Sequence, residues 1–172
     1  MTSYTNIQKI QLSSVKEHKD LALTLIPFVT SSHCTVGSAV LNGIPPQAIR
    51  DVWGVAKAYE TYVGSKTFEQ PSPVFSKIRD LGKEFGATTG RPRQCGWLEV
   101  PLLEKSVKIN GVNKLVFNKM DILEELNRWM IKHSKDSFET FEDRTKFEEY
   151  FNFKLKRWGV EEVYFSDSPE TI

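Results

Sequence analysis

Apolar and polar positions along this chain change period several times, and each change marks an element. Leu21 to Thr30 (LALTLIPFVT) is apolar and rich in strand formers up to Pro27, which predicts a strand ending near Thr30. After the small-residue stretch Ser31 to Ala39, the pair Pro45-Pro46 can open a helix at its first turn. Trp53 to Val63 (WGVAKAYETYV) alternates as a half-buried strand does, with a helix competing for the same residues. Between Pro73 and Gly86, Ile78, Leu81 and Phe85 step by three and four and predict a helix.

A loop rich in Gly and Thr follows. Trp97 to Ile109 reads as a helix carrying Leu98, Leu102 and Val107, with Pro101 in its first turn or kinking it, and Gly111 closes it. Leu115, Val116 and Phe117 form a short apolar run between Asn113-Lys114 and Asn118-Lys119, the pattern of a buried central strand. A helix is expected from Asp121, with Ile122, Leu123, Leu126 and Met130 on one face, and Lys132 to Thr145 reads as a loop. Phe147, Phe151, Leu155 and Trp158 define a last helix that Gly159 stops, and Val163 to Phe165 a final strand. The second half thus reads helix, strand, helix, helix, strand: an α/β layered fold with a central, mostly parallel sheet flanked by helices.

The chain has 172 residues, enough for one core, and no internal repeat divides it. Its 23 basic and 22 acidic side chains nearly cancel, so no global field recruits nucleic acid or a membrane, and anion binding must be local. Cys34 and Cys95 suit neither a disulfide scaffold nor a zinc site, and no run approaches a membrane span; the expectation is a soluble cytoplasmic protein with reduced thiols.

The strongest local signal is Asn118-Lys119-Met120-Asp121, an NKxD tetrapeptide where an apolar strand gives way to a helix, the place where open α/β sheets bind ligands. An Asp carboxylate can accept two parallel hydrogen bonds from N1 and N2 of guanine, an edge that adenine lacks, while the Lys stem covers the purine face and Asn braces the loop. The bland alternative is that Asp121 caps the helix and Lys119 is solvated. A second constellation, Gly86-Ala87-Thr88-Thr89-Gly90-Arg91-Pro92-Arg93, combines guanidiniums, hydroxyls and glycines, and suits carboxylate or phosphate; otherwise it is a flexible basic turn. Phe28-Val29-Thr30-Ser31-Ser32 offers hydroxyls to a phosphate or simply makes a turn, and His18, His33 and His133 lack partners at metal-ligand spacing. No GxxxxGK(S/T) loop is present to cradle a triphosphate.

Taken in order, FVTSS, KAYETYVG, EFGATTGRPRQCGWLE and NKMDILEEL make this chain resemble the adenylosuccinate synthetases, from about Pro27 to Leu126 and less clearly to the end. That family joins IMP to aspartate at the expense of GTP. The resemblance implies a divergent segment over residues 1–20 and a C-terminal family domain over 21–172. It implies that Thr30, Val63 and Arg91 contact IMP, and that Ala87, Thr88, Thr89, Gly90, Arg91, Pro92 and Arg93 hold aspartate. Arg93 would also reach GTP, whose guanine Lys119, Met120 and Asp121 would read. Ser166-Asp167-Ser168-Pro169 resembles the family's Ser-x-Gly-Pro turn on guanine, with Ser168 in place of a Gly that positive φ would favour.

The family's GDEGKG phosphate loop, its catalytic His and its magnesium ligands have no match in these 172 residues, and sequence around Gln11 to Lys19 replaces EGAQG. Phosphoryl transfer depends on positioning and charge neutralisation at the γ-phosphate. The expectation is therefore a ligase portion inactive alone, using GTP as a substrate and magnesium only through ligands from a second chain carrying the phosphate-loop half. A homo-oligomer is left open. The competing expectation is a non-catalytic descendant that senses nucleotides or serves as a regulatory or structural interaction protein.

Overall fold

The computed structural model describes residues 35–64 and 67–168, and the backbone of residues 9–12. The strand expected over Leu21 to Thr30, with Thr30 itself, lies outside these residues. In chain order the elements are β1 (Lys9–Leu12), α1 (Gly37–Leu41), a 3-10 turn (Pro46–Ala48), β2 (Val52–Lys57), β3 (Tyr59–Tyr62), α2 (Pro73–Gly82) and β4 (Gln94–Glu99). Then come α3 (Val100–Asn110), β5 (Lys114–Asn118), α4 (Met120–Leu126), β6 (Trp129–Ser134), β7 (Ser137–Phe141), α5 (Arg144–Arg157) and β8 (Glu162–Phe165). The proline pair opens only a 3-10 turn, with Pro46 in its first position.

Two four-stranded sheets organise the described residues, in the orders β1-β2-β5-β8 and β3-β4-β6-β7. In the first, β2, β5 and β8 run parallel and β1 adds antiparallel to β2. This is the mostly parallel sheet with flanking helices that the sequence pattern implies. The apolar run of β5 is buried because β2 and β8 flank it on both sides, with Leu115 and Phe117 fully enclosed. Phe117 anchors the core: its ring stacks on Phe165 at 5.5 Å and meets Phe151 at 4.7 Å and Phe147 at 6.4 Å.

The second sheet departs from the sequence reading at three places. The alternating stretch from Trp53 is two strands, because Ala58 breaks it and the chain passes from the first sheet to the second. Trp97 and Leu98, expected in a helix, lie in β4, where Cys95 and Trp97 face the core and Gln94 and Gly96 do not. The helix begins only at Val100, with Pro101 in its first turn as expected, and Gly111 ends it at φ 59°. Finally, Lys132 to Thr145 is not a loop. Trp129 and Ile131 point inward with a period of two, so β6 and β7 form a hairpin, and Met130 leaves the face of α4, which Asn127 ends at φ 46°. Helical and strand periods are indistinguishable over so few apolar residues. The last helix agrees with its predicted face: Phe147, Phe151 and Leu155 are fully buried, and Asp143 caps it by accepting from the Lys146 amide at 2.9 Å.

Because Phe117 sits in the ring cluster, Phe117→Ala should destabilise the chain by about 3–5 kcal/mol. Urea unfolding followed by tryptophan fluorescence measures the loss, and a change below about 1 kcal/mol would show that the cluster is not the core.

Candidate functional site

The parallel strands end together. Lys57 is opposite Asn118 and Phe117 is opposite Phe165, so the residues after β2, β5 and β8 meet at one edge of the sheet. After Asn118 the chain turns through Lys119 at φ 63°, a conformation a non-glycine residue adopts only where surroundings impose it. Three contacts impose it. Ala58 N donates to Asn118 O at 3.0 Å, Met120 N donates to Ser166 O at 3.3 Å, and Lys119 Nζ donates to Gly82 O at 3.2 Å at the end of α2.

The turn leaves Asn118 Oδ1 and Asp121 Oδ1 buried with no hydrogen-bond partner. An acceptor deprived of both water and protein donors costs about 1–3 kcal/mol. Asp121 Oδ1 therefore receives no backbone amide, and the cap position of α4 belongs to Lys119. The Met120 side chain is fully buried in the core and only its backbone faces the turn. Ser166 is buried: its amide donates to Phe117 O at 2.7 Å and its hydroxyl to Ser168 O at 2.6 Å. Asp167 pairs with Arg144 at 2.8 Å. Among the described residues the non-glycine positions at positive φ are Lys83, Lys119 and Asn127, so the strain considered for Ser168 does not arise.

The Gly and Arg loop is a short hairpin. Arg93 N donates to Glu84 O at 2.9 Å, Phe85 bridges Pro92, and Gly86 N donates to Arg91 O at 2.8 Å. Gly90, at φ 65°, reverses the chain. Ala87, Thr88, Thr89, Gly90, Arg91 and Pro92 are exposed at its tip. The Thr89 hydroxyl accepts from Arg91 N at 3.3 Å, and Arg91 Nη2 donates to Gly64 O at 3.4 Å, which draws Arg91 toward the exposed Val63. Arg93 turns inward instead, its Nη1 donating to Glu84 Oε2 at 2.9 Å while its Nε is buried and unmet.

A family model for adenylosuccinate synthetase matches residues 16–162. This chain belongs to the adenylosuccinate synthetase family. It is 47% identical over 103 residues to the adenylosuccinate synthetase of Bordetella pertussis, covering 58% of this chain and 24% of that protein. It is 42% identical over 129 residues to that of Yarrowia lipolytica, covering 71% and 30%. A solved structure of fully ligated adenylosuccinate synthetase from Plasmodium falciparum superposes with a TM-score of 0.68 at 26% identity, covering 83% of this chain and 44% of that one. The chain thus spans less than a third of those two curated relatives.

In this adenylosuccinate synthetase domain, sequence reasoning missed the residue at the centre. Glu84 is almost fully buried; its Oε1 accepts from Lys57 Nζ at 2.6 Å and Tyr59 Oη at 2.8 Å, and its Oε2 from Arg93. The signal lay in the matched segments, since Lys57 and Tyr59 stand in KAYETYVG and Glu84 opens EFGATTG, but no local pattern joins them. Gly82 belongs to the same unit, because a Cβ there would meet the Tyr59 hydroxyl at 2.3 Å. Burial opposes the charge of Glu84, but Lys57, Tyr59 and Arg93 outweigh it and hold the carboxyl below its ordinary value. Burial pulls Lys57 down despite Glu84, and burial followed by the Glu84 charge pushes Tyr59 well up. Among the described residues no three His, Cys, Asp or Glu side chains converge as a metal site. None of the described helices is long and apolar enough to cross a membrane.

A carboxyl depressed on folding stabilises the native state above its unfolded value, near pH ~4.3, and that stability is lost as pH falls through the folded value. Glu84→Gln should therefore cost about 3 kcal/mol at pH 7, and the gap from the unsubstituted chain should narrow below pH ~4. Urea unfolding of both across that range measures it, and a constant gap would mean that folding does not shift the Glu84 carboxyl.

Proposed function

We propose that this chain supplies the substrate-reading loops of an adenylosuccinate synthetase, with Asp121 reading the guanine of GTP. The carrying observation is the pair of buried, unmet acceptors Asn118 Oδ1 and Asp121 Oδ1 at the carboxyl end of β5. Guanine presents two adjacent donors, N1 and N2, that match a carboxylate, and adenine does not. Lys119 lies beside them with its stem directed to α2, and the Ser166 to Ser168 turn closes the other side through the Met120 amide. The loop Ala87 to Arg93 takes the carboxylates of L-aspartate, Arg91 and Val63 the IMP side with Thr30, and Arg93 extends toward GTP. Guanidinium donors and a left-handed Gly90 support that assignment.

Ligation of IMP with aspartate needs the γ-phosphate held and its charge neutralised, work that none of these loops performs. A second chain bearing the phosphate-loop half would complete the enzyme, with any magnesium bound through that chain. A non-catalytic nucleotide-sensing role is the second reading. It is favoured by the C-terminal turn, where Asp167 is tied to Arg144 rather than presented to a ligand.

Calorimetry with GMP and AMP tests the base assignment without catalysis. Guanine should bind better, and Asp121→Asn, which sets a donor against a donor, should shrink the preference about tenfold, the equivalent of about 1–3 kcal/mol. Xanthosine monophosphate, with an acceptor at position two, should bind the variant better than the unsubstituted chain. Equal affinity of the unsubstituted chain for GMP and AMP would end this reading.

A further inference from the structure

We propose that Glu84 is the positioning residue of Arg93, holding the guanidinium by Nη1 so that its Nε and Nη2 edge is presented to a ligand carboxylate. The inference rests on the reading of the Gly and Arg loop as a carboxylate site, and adds how the loop aims its inner arginine.

The backbone of Arg93 is fixed on both sides: its amide donates to Glu84 O at 2.9 Å, and its carbonyl accepts from Arg79 Nε at 2.7 Å. Arg79 in turn pairs with Glu69, whose carboxylate also accepts the Cys95 amide at 2.7 Å. Within that frame, among the described residues, the Glu84 side chain sets the direction of the guanidinium. Lys57 and Tyr59 both occupy Oε1, so Glu84 offers Arg93 one oxygen, Oε2, and the contact is single and end-on. A bidentate pair with Glu84 would have used two donors internally. Instead Nε is left buried and unmet on the opposite edge, beside Nη2.

Nε and Nη2 of an arginine are coplanar parallel donors, spaced to meet the two oxygens of one carboxylate. Lys57 neutralises Glu84, so the three side chains together keep one positive charge, and it resides on Arg93 where an anion can reach it. The Arg93 side chain is 32% exposed against 2% for that of Glu84, so the supporting carboxylate is the shielded partner, while the Nε donor itself lies beneath the surface. An incoming carboxylate would relieve the unmet Nε donor, which a monovalent point contact such as a lysine could not arrange.

The full chain, labelled with 15N at arginine, provides the test. The Arg93 Nε resonance is assigned by its disappearance in Arg93→Lys, and its exchange with water and its response to L-aspartate are followed by NMR. Glu84→Gln keeps volume and shape but loses the charge. Exchange at Arg93 Nε should quicken by about tenfold and aspartate affinity should fall by about tenfold, as expected for loss of a charge-assisted anchor. Unchanged exchange in Glu84→Gln overturns the proposal, because a residue that only fills space would tolerate that swap. Quickened exchange together with an Arg93 resonance that aspartate never moves upholds the positioning role and removes the carboxylate reading of the loop. If the single variant does not fold, Lys57→Met/Glu84→Gln removes both buried charges together, and the same exchange measurement decides.

Discussion

The in-register parallel pairing of β2, β5 and β8 governs what the rest of the chain can do. Setting Lys57 opposite Asn118 and Phe117 opposite Phe165 makes three strands expire at the same level, so that Ala58 N reaches Asn118 O and Met120 N reaches Ser166 O. Slipping β5 by one residue would move Phe117 out of its ring cluster and carry Asn118 away from Ala58. Packing and site geometry are thus set by one register. The rings that fix the strand also fix where its last polar residue stops.

The second sheet begins at that edge. Because β3 leaves β2 after a single residue, Tyr59 is carried under the end of α2 while Lys57 stays at the end of the parallel strand. Both converge on Glu84, and the close approach of Tyr59 requires glycine at position 82. Lys83, at φ 53°, then redirects the chain so that Glu84 points inward and the hairpin of residues 84–93 points outward. The carbonyl of Gly82 receives Lys119, so the end of α2 touches both the NKMD turn and the root of the arginine hairpin.

How much of this was legible in the sequence depended on range. The buried β5, the face of α5 and the stopping glycines Gly111 and Gly159 follow from local pattern, because an unbroken apolar run or four-residue spacing has few alternative explanations. The matched loops named the family before any contact was known. The hairpin of β6 and β7, and the strand before α3, were misread because Trp97, Leu98, Met130 and Ile131 satisfy either period, and only pairing with distant strands decides. Glu84 was invisible for another reason: a single glutamate between Lys83 and Phe85 reads as surface, and its burial depends on Lys57 and Tyr59 more than twenty residues away.

A buried ion pair is an inefficient way to stabilise a domain. Removing a carboxylate and an ammonium from water costs several kcal/mol each, and apolar side chains of equal volume often do as well or better. The Lys57 and Glu84 pair is enclosed at 7% and 2% side-chain exposure, so it bears nearly the full desolvation cost. Folding alone gives no reason to keep it in a domain whose core is otherwise built of apolar side chains. What an apolar replacement would not provide is a directional acceptor for Arg93, delivered from a position that cannot swing toward solvent. The same logic holds at the sheet edge, where Asn118 and Asp121 keep unmet acceptors that packing alone would have eliminated. Both sites spend stability on orientation, and both do so at the carboxyl end of the parallel strands, where the register brings them within one surface.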